Sequence, residues 1–411
     1  MVKIKEQIEI QKGLKFMVDE LNFCSPMGRK NLMHRRFLTN PFELQMELDI
    51  QEAVSNFASK YHNTPILAQL TEQLCQVNDI SQTFVNLIDG TVLDDIQLFE
   101  VKKFSLIVQK VSKLLLDNSF DWIPFHDMSL VIDTLDPDKN RLPQFHIYSS
   151  YKPELADVRK KIEVCNDESE LEKLKWEESK LEDGIRETLT KRLSFKSLEI
   201  QQNLNQIGYL DMLLAHAEQI EKWNLSKPKI IEGNTQLKGV FNPLVKYSTG
   251  NFQPIDIDLK HCPTLITGAN MAGKTVLLKT IGLTQTLCQF GFFVPAKEAE
   301  ISLVDDILFS IGDQQSESNG LSSFAVEILN INKIIKEVKE GQQVLALVDE
   351  LARTTNPEEG KALVSGFVNL MCKYNIDALI TTHYSGLSCN CRRLRVKGLK
   401  IKNNEQNITA E

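Results

Sequence analysis

Apolar residues in the first third of the chain return at helical intervals, as with Ile107, Val108, Val111, Leu114 and Leu115. This predicts a mainly helical domain over residues 1–150. The turn-forming run from Asp133 to Asn140 interrupts it, and Phe145-His146-Ile147-Tyr148 predicts a short strand. Between Pro153 and Trp223 there is no further proline, and glycine stands only at 184 and 208. Leu155, Val158 and Ile162 form one apolar stripe there, and Leu171, Leu174, Leu181, Ile185, Leu189 and Leu193 form another. The polar run Asn166 to Glu170 lies between them. Over 151–223 the pattern predicts two antiparallel helices in a coiled-coil arm reversing near Asn166, with one continuous helix as the alternative. After Lys227-Pro228 the period changes. Short β-prone runs (229–231, 239–241, 255–257) alternate with Gly, Asn and Pro turns, and from Thr264 strands alternate with helical segments. That predicts an α/β domain over 228–411, and for the whole chain a multidomain α and α/β protein.

The strongest chemical signal lies at the first strand-to-helix junction of that domain. Residues 268–275 are Gly268-Ala269-Asn270-Met271-Ala272-Gly273-Lys274-Thr275, the G-x-x-x-x-G-K-[ST] pattern of a phosphate-binding P-loop. The glycines permit a tight turn whose N–H groups point at phosphate oxygens. Lys274 reaches the outer phosphates, and the Thr275 hydroxyl is a candidate Mg²⁺ ligand. Thr264–Thr267 precedes the loop as a β-prone run, and Val276–Ile281 follows as a helical one. The phosphates therefore fall at a helix N-terminus, where the dipole favours anions. Val344 to Val348 is an apolar strand ending in Asp349 and Glu350. In this context the pair reads as Mg²⁺ holder and polariser of the attacking water, against two solvated charges at a strand end. His383, after the strand-like run 378–380, is placed to reach a γ-phosphate or to be inert. Ser322 and Ser323 open a helix with apolar Ile328, Leu329, Ile331, Ile334 and Ile335, and an ordinary N-cap accounts for them equally well.

Composition narrows the class. With 411 residues, 42% hydrophobic and 25% charged, the chain is long enough for two or three soluble domains. The net charge of −8 argues against bulk nucleic-acid binding. Residues 151–200 hold 11 Lys/Arg against 13 Asp/Glu, unlike a DNA-gripping arm. Arg29-Lys30, Arg35-Arg36 and the run from Arg392 to Lys402 are the available basic stretches, each read as a solvated or strand-edge run before a DNA patch. The N-terminus lacks a signal-peptide apolar region, and Thr280–Ala296, though uncharged, contains Gln285, Gln289, Gly291 and Pro295, a buried helix and turn rather than a membrane span. Eight scattered cysteines read as reduced thiols, so a cytoplasmic location is expected. Cys389-Asn390-Cys391 has no second ligand pair at metal spacing.

Taken together, residues 267–275, 293–296 (Phe-Val-Pro-Ala), 309–313 (Phe-Ser-Ile-Gly-Asp), 320–327 (Gly-Leu-Ser-Ser-Phe-Ala-Val-Glu), 348–355 (Val-Asp-Glu-Leu-Ala-Arg-Thr-Thr) and 381–384 (Thr-Thr-His-Tyr) resemble the MutS family of ABC-type ATPases. The likeness is strong over 228–390 and weaker upstream, where Met27–Leu32 to Phe42 looks like the start of the MutS helical core and the arm looks like its lever helices. The resemblance implies ATP and Mg²⁺ as cofactors, and a homodimer or a heterodimer with a related MutS-like chain. In that dimer Ser322 and Ser323 would reach the partner's γ-phosphate and His383 would lie near the chain's own. It also implies work on mismatched DNA. This chain starts where the core begins and ends 28 residues after His383, so the mismatch-reading domain and the helical dimerisation tail of MutS are expected to be missing. The family's Gly-Arg-Gly-Thr reads Ala352-Arg353-Thr354-Thr355 here. That form looks like MutS-like proteins associated with cobalamin-dependent lysine or ornithine aminomutases, which makes ATP-driven reactivation of such an enzyme the alternative function.

Overall fold

A computed structural model describes residues 2–250, 252–268, 273–312, 323–353, 355–396, 400–402 and 405–407. Of the candidate site residues, Ala269, Asn270, Met271, Ala272 and Ser322 lie outside these, and of Ser323 only the backbone is described. The chain forms two compact units that are not colinear with the sequence: residues 22–33 with 53–215, and residues 1–21, 34–52 and 216–411.

The first of these units is helical. Its longest purely internal helix, Glu168–Ser194, reverses from Pro153–Val164 over residues 165–167. The apolar stripe on Glu168–Ser194 is graded. Leu171, Leu174 and Leu181 are half-buried, whereas Ile185, Leu189 and Leu193 are buried. The acidic surplus is partly neutralised in place: Arg159 meets Glu178 at 2.7 Å and Glu182 at 2.8 Å, and Arg186 meets Asp95 at 2.8 Å. Phe145–Tyr148 is irregular rather than a strand. Side chains take the carbonyls a ladder partner would need: Lys102 Nζ donates to Gln144 O (2.9 Å) and Arg159 to Ile147 O (2.8 Å). Lys102 is itself fully buried, paired with an equally buried Asp136 at 3.1 Å.

The second unit holds the strands β1 (Lys229–Ile230), β2 (Gln236–Val240), β3 (Ile255–Asp258), β4 (Thr264–Thr267), β5 (Glu298–Ile301), β6 (Asp306–Ser310), β7 (Val344–Val348), β8 (Asp377–Thr381) and β9 (Arg392–Arg395), with a short hairpin of β10 (Lys400–Lys402) and β11 (Glu405–Asn407). They form a mixed sheet ordered β1-β5-β2-β3 and a parallel sheet ordered β6-β7-β8-β4-β9. The central strands β7 and β8 are buried at every position, as a parallel sheet covered on both faces requires. Helix Lys274–Gln289 is buried along almost its whole length despite its threonines and glutamines. Each polar side chain is satisfied internally: Thr280, Thr284 and Thr286 bond back to the preceding turn, and Gln289 donates to Leu38 O and Val304 O. The segments 1–21 and 34–52 cover one side of this helix, through Gln11 to Thr286 (2.8 Å) and the Phe37–Phe290 ring contact. Gly282 lets the other side approach the sheet, since a Cβ there would lie 2.7 Å from Leu347 and Phe309. Among the described residues no helix is long and apolar enough to cross a membrane.

Candidate nucleotide site

Three strands of the parallel sheet deliver the candidate residues to its carboxyl edge, where open α/β sheets bind ligands. β4 runs into Gly268, β7 into Asp349 and Glu350, and β8 into Thr382 and His383. Since β8 lies between β7 and β4, residues leaving β8 stand between the two acids and Gly268. Thr382 N–H donates to Ile266 O at 3.2 Å, which fixes that exit against β4.

Gly268 has φ +152 and Gly273 has φ +89, and a Cβ on Gly268 would sit 2.9 Å from Val396 O. The first needs glycine for close approach and the second for its left-handed turn into the helix. Lys274 opens the helix with its side chain only 5% exposed. Its ammonium donates to Gly268 O at 3.0 Å and lies 3.7 Å from Glu350 Oε1. With three N–H donors in a buried position, this ammonium is suited to donate to an anionic ligand.

The two acids are held by a threonine that sequence reasoning did not single out. Thr381 Oγ1 donates to Asp349 Oδ1 at 2.5 Å and accepts from Glu350 N–H at 2.9 Å. Asp349 Oδ2 receives the Thr275 hydroxyl at 2.6 Å. Asp349 is thus gripped from the end of β8 and from the first turn of helix Lys274–Gln289, and its N–H goes to Ser310 O, at the end of β6, at 2.8 Å. Glu350 follows with φ +49, and Arg353 Nη1 approaches its other oxygen at 3.4 Å. The signal for Thr381 was present in Thr381-Thr382-His383-Tyr384, but a hydroxyl inside a buried strand gives no periodicity clue. His383 is exposed, its ring 4.2 Å from that of Tyr384.

The Thr275–Asp349 pair supplies only hard oxygens. Among the described residues no group of three or more His, Cys, Asp or Glu could hold a metal by itself. That donor set suits Mg²⁺, which takes one or two protein oxygens and completes its shell with water and phosphate. The cysteines, all free, offer nothing comparable; Cys389 and Cys391 sulfurs lie 3.7 Å apart. Three arginines of the basic stretches have partners within the unit. Arg392 pairs with Asp258, Arg393 donates to Leu387 O at 2.5 Å, and Arg35 pairs with Glu47 at 2.6 Å.

Residues 264–410 match the family model described as MutS domain V. The chain is similar to proteins named Endonuclease MutS2. The one from Carboxydothermus hydrogenoformans is 34% identical over 224 residues, covering 54% of this chain and 28% of that protein. The one from Caldanaerobacter subterraneus subsp. tengcongensis is 33% identical over 243 residues, covering 58% and 30%. The one from Thermus thermophilus is 34% identical over 217 residues, covering 53% and 28%. The matched stretch therefore spans less than a third of each of these relatives.

Proposed function

We propose that this chain is a MutS-type ATPase: it binds ATP with Mg²⁺ at the carboxyl edge of the parallel sheet and hydrolyses it. The observation that carries the reading is the convergence of Lys274, Thr275, Asp349 and Glu350, which follow two strands with only β8 between them, on one point beside Gly268 and Gly273. Lys274 and the helix N-terminus hold the β- and γ-phosphates. Thr275 and Asp349 are the residues that would hold Mg²⁺, which neutralises charge on the phosphate oxygens when bound. Glu350 takes up the attacking water and draws on its proton as oxygen adds to the γ-phosphorus and the bridging P–O bond breaks, releasing ADP and phosphate. His383 leaves β8 beside this point and is assigned to the γ-phosphate side.

In this reading Ala269 to Ala272 complete the cradle. Ser322 and Ser323 serve a second copy or a related chain across a two-fold interface, so that binding closes the dimer. The target of that motion is taken to be DNA, as the name of the matched relatives suggests. The aminomutase alternative rests on the Ala352–Thr355 form alone, and the relatives matched add nothing to it. Lys274→Ala is expected to weaken Mg-ATP binding at least 100-fold, about 2.7 kcal/mol, in calorimetric titration. Unchanged affinity would remove the P-loop from the account.

A further inference from the structure

We propose that Glu327 is a positioning residue for Glu350, and that it acts by hydrogen-bonding the turn that follows β7. This rests on the ATPase reading above. The turn is unusual in its backbone. Glu350 and Ala352 both have left-handed φ, +49 and +61, a conformation that glycine tolerates and alanine does not favour. The family resemblance places glycine where this chain has Ala352. Something must hold the alanine there, and both of its backbone polar groups are gripped by side chains. Its N–H donates to Glu327 Oε1 at 2.6 Å. Its carbonyl accepts from Tyr384 Oη at 2.7 Å and from Thr355 Oγ1 at 2.9 Å. Ala352 is fully buried, so water cannot replace either partner.

The clamp is built from both sides. Tyr384, 8% exposed, reaches Ala352 because residue 360 is glycine; a Cβ there would lie 2.1 Å from the tyrosine oxygen. Glu327 is half-buried on helix Ser323–Lys339, one turn after the serine end. Burial raises its carboxyl above the ordinary value, a cost that the amide donor partly offsets. Glu327 therefore ties the serine-bearing helix to the turn that aims Glu350, and Tyr384 ties the same turn to the segment bearing His383. A movement at the serine end is passed to Glu350 through one hydrogen bond.

The test uses Glu327→Ala and Glu327→Gln in the full chain, with turnover, ATP affinity and hydrogen exchange at the Ala352 amide all measured. Glu327→Ala should lower kcat roughly 10- to 100-fold with ATP affinity unchanged within about threefold, because a misaimed base costs chemistry rather than binding. The Ala352 amide should exchange at least about tenfold faster. Glu327→Gln keeps an acceptor and should restore both towards wild type. Wild-type turnover and protection in Glu327→Ala, or a Gln variant as impaired as the Ala variant, would overturn the proposal. If Glu327→Ala does not fold, Tyr384→Phe loosens the clamp from the other side and should give the same kcat-selective loss; full activity there would equally overturn it. A wild-type chain without hydrolysis would instead defeat the ATPase reading, while the exchange measurement would still decide the clamp.

Discussion

Thr381 does the most for its size at the candidate site. One hydroxyl donates to Asp349 and accepts from the Glu350 amide, so it sets the relative position of the two acids. Thr381→Val keeps the shape and leaves a buried N–H and a carboxylate oxygen short of a partner, a cost of about 1–3 kcal/mol. We expect kcat to fall ~10- to 100-fold with nucleotide affinity largely kept, as measured by steady-state turnover beside calorimetry. A proportionate loss of affinity would mean that Thr381 supports the fold and not the acids. A second residue-scale prediction concerns His216. It is 2% exposed, stacked on Phe292 at 3.8 Å, and neither ring nitrogen has a hydrogen-bond partner among the described residues. Burial first, and the Arg35 guanidinium second, push it from 6.5 down to about 3. The unfolded chain thus binds a proton below pH 6.5 that the folded chain refuses, so stability present above that value is lost as pH falls towards 3. The slope from this group is about 1.4 kcal/mol per pH unit. His216→Phe should flatten the pH dependence of the urea midpoint between 6 and ~4; an unchanged profile would exclude His216 as its source. The P-loop glycines, Lys274, Asp349 and Glu350 were legible as motif because their chemistry dictates residue type and spacing. Thr381 and Glu327 were not, since they act on the backbone conformation of other residues, which no periodicity records.

At the scale of elements, helix Lys274–Gln289 is the hub of its unit. It starts after Gly273, rests on β6 and β7 through Gly282, and is covered by segments from the start of the chain. Gly282→Val would force side-chain atoms into space held by Leu347 and Phe309, an overpacking cost of about 1–3 kcal/mol. Because the same helix carries Lys274, thermal stability and ATP affinity should fall together; loss of stability with full affinity would show that the helix adjusts without moving its N-terminus. The helix and strands around it follow plainly from pattern: 344–348 is a continuous apolar run, and the shorter β-prone runs 264–267 and 378–380 likewise become parallel strands. Two features were hidden. The strand expected at Phe145–Tyr148 is irregular because Lys102 and Arg159 occupy its neighbouring carbonyls, a contact between distant positions. The inclusion of residues 1–21 and 34–52 in the nucleotide-site unit depends on a helix that is apolar or internally satisfied all round. Such a helix must be covered on every side, but its sequence does not say by what.

For the whole molecule, the proposed picture is of a nucleotide site whose parts come from one sheet edge and whose serine-bearing helix is tied by Glu327 to the Ala352 amide, in the turn that follows Glu350. Within the basic stretches Arg392 pairs with Asp258, Arg35 with Glu47 and Arg393 with backbone carbonyls, whereas Arg36 and Arg395 are exposed. The central claim is hydrolysis of ATP with Glu350 acting on water. It is tested most directly by measuring ATP turnover and Mg-ATP binding side by side in the full chain and in Glu350→Gln. The account predicts wild-type turnover, and in the variant binding within about threefold of wild type with turnover reduced at least ~100-fold. Hydrolysis at the wild-type rate in Glu350→Gln would contradict it.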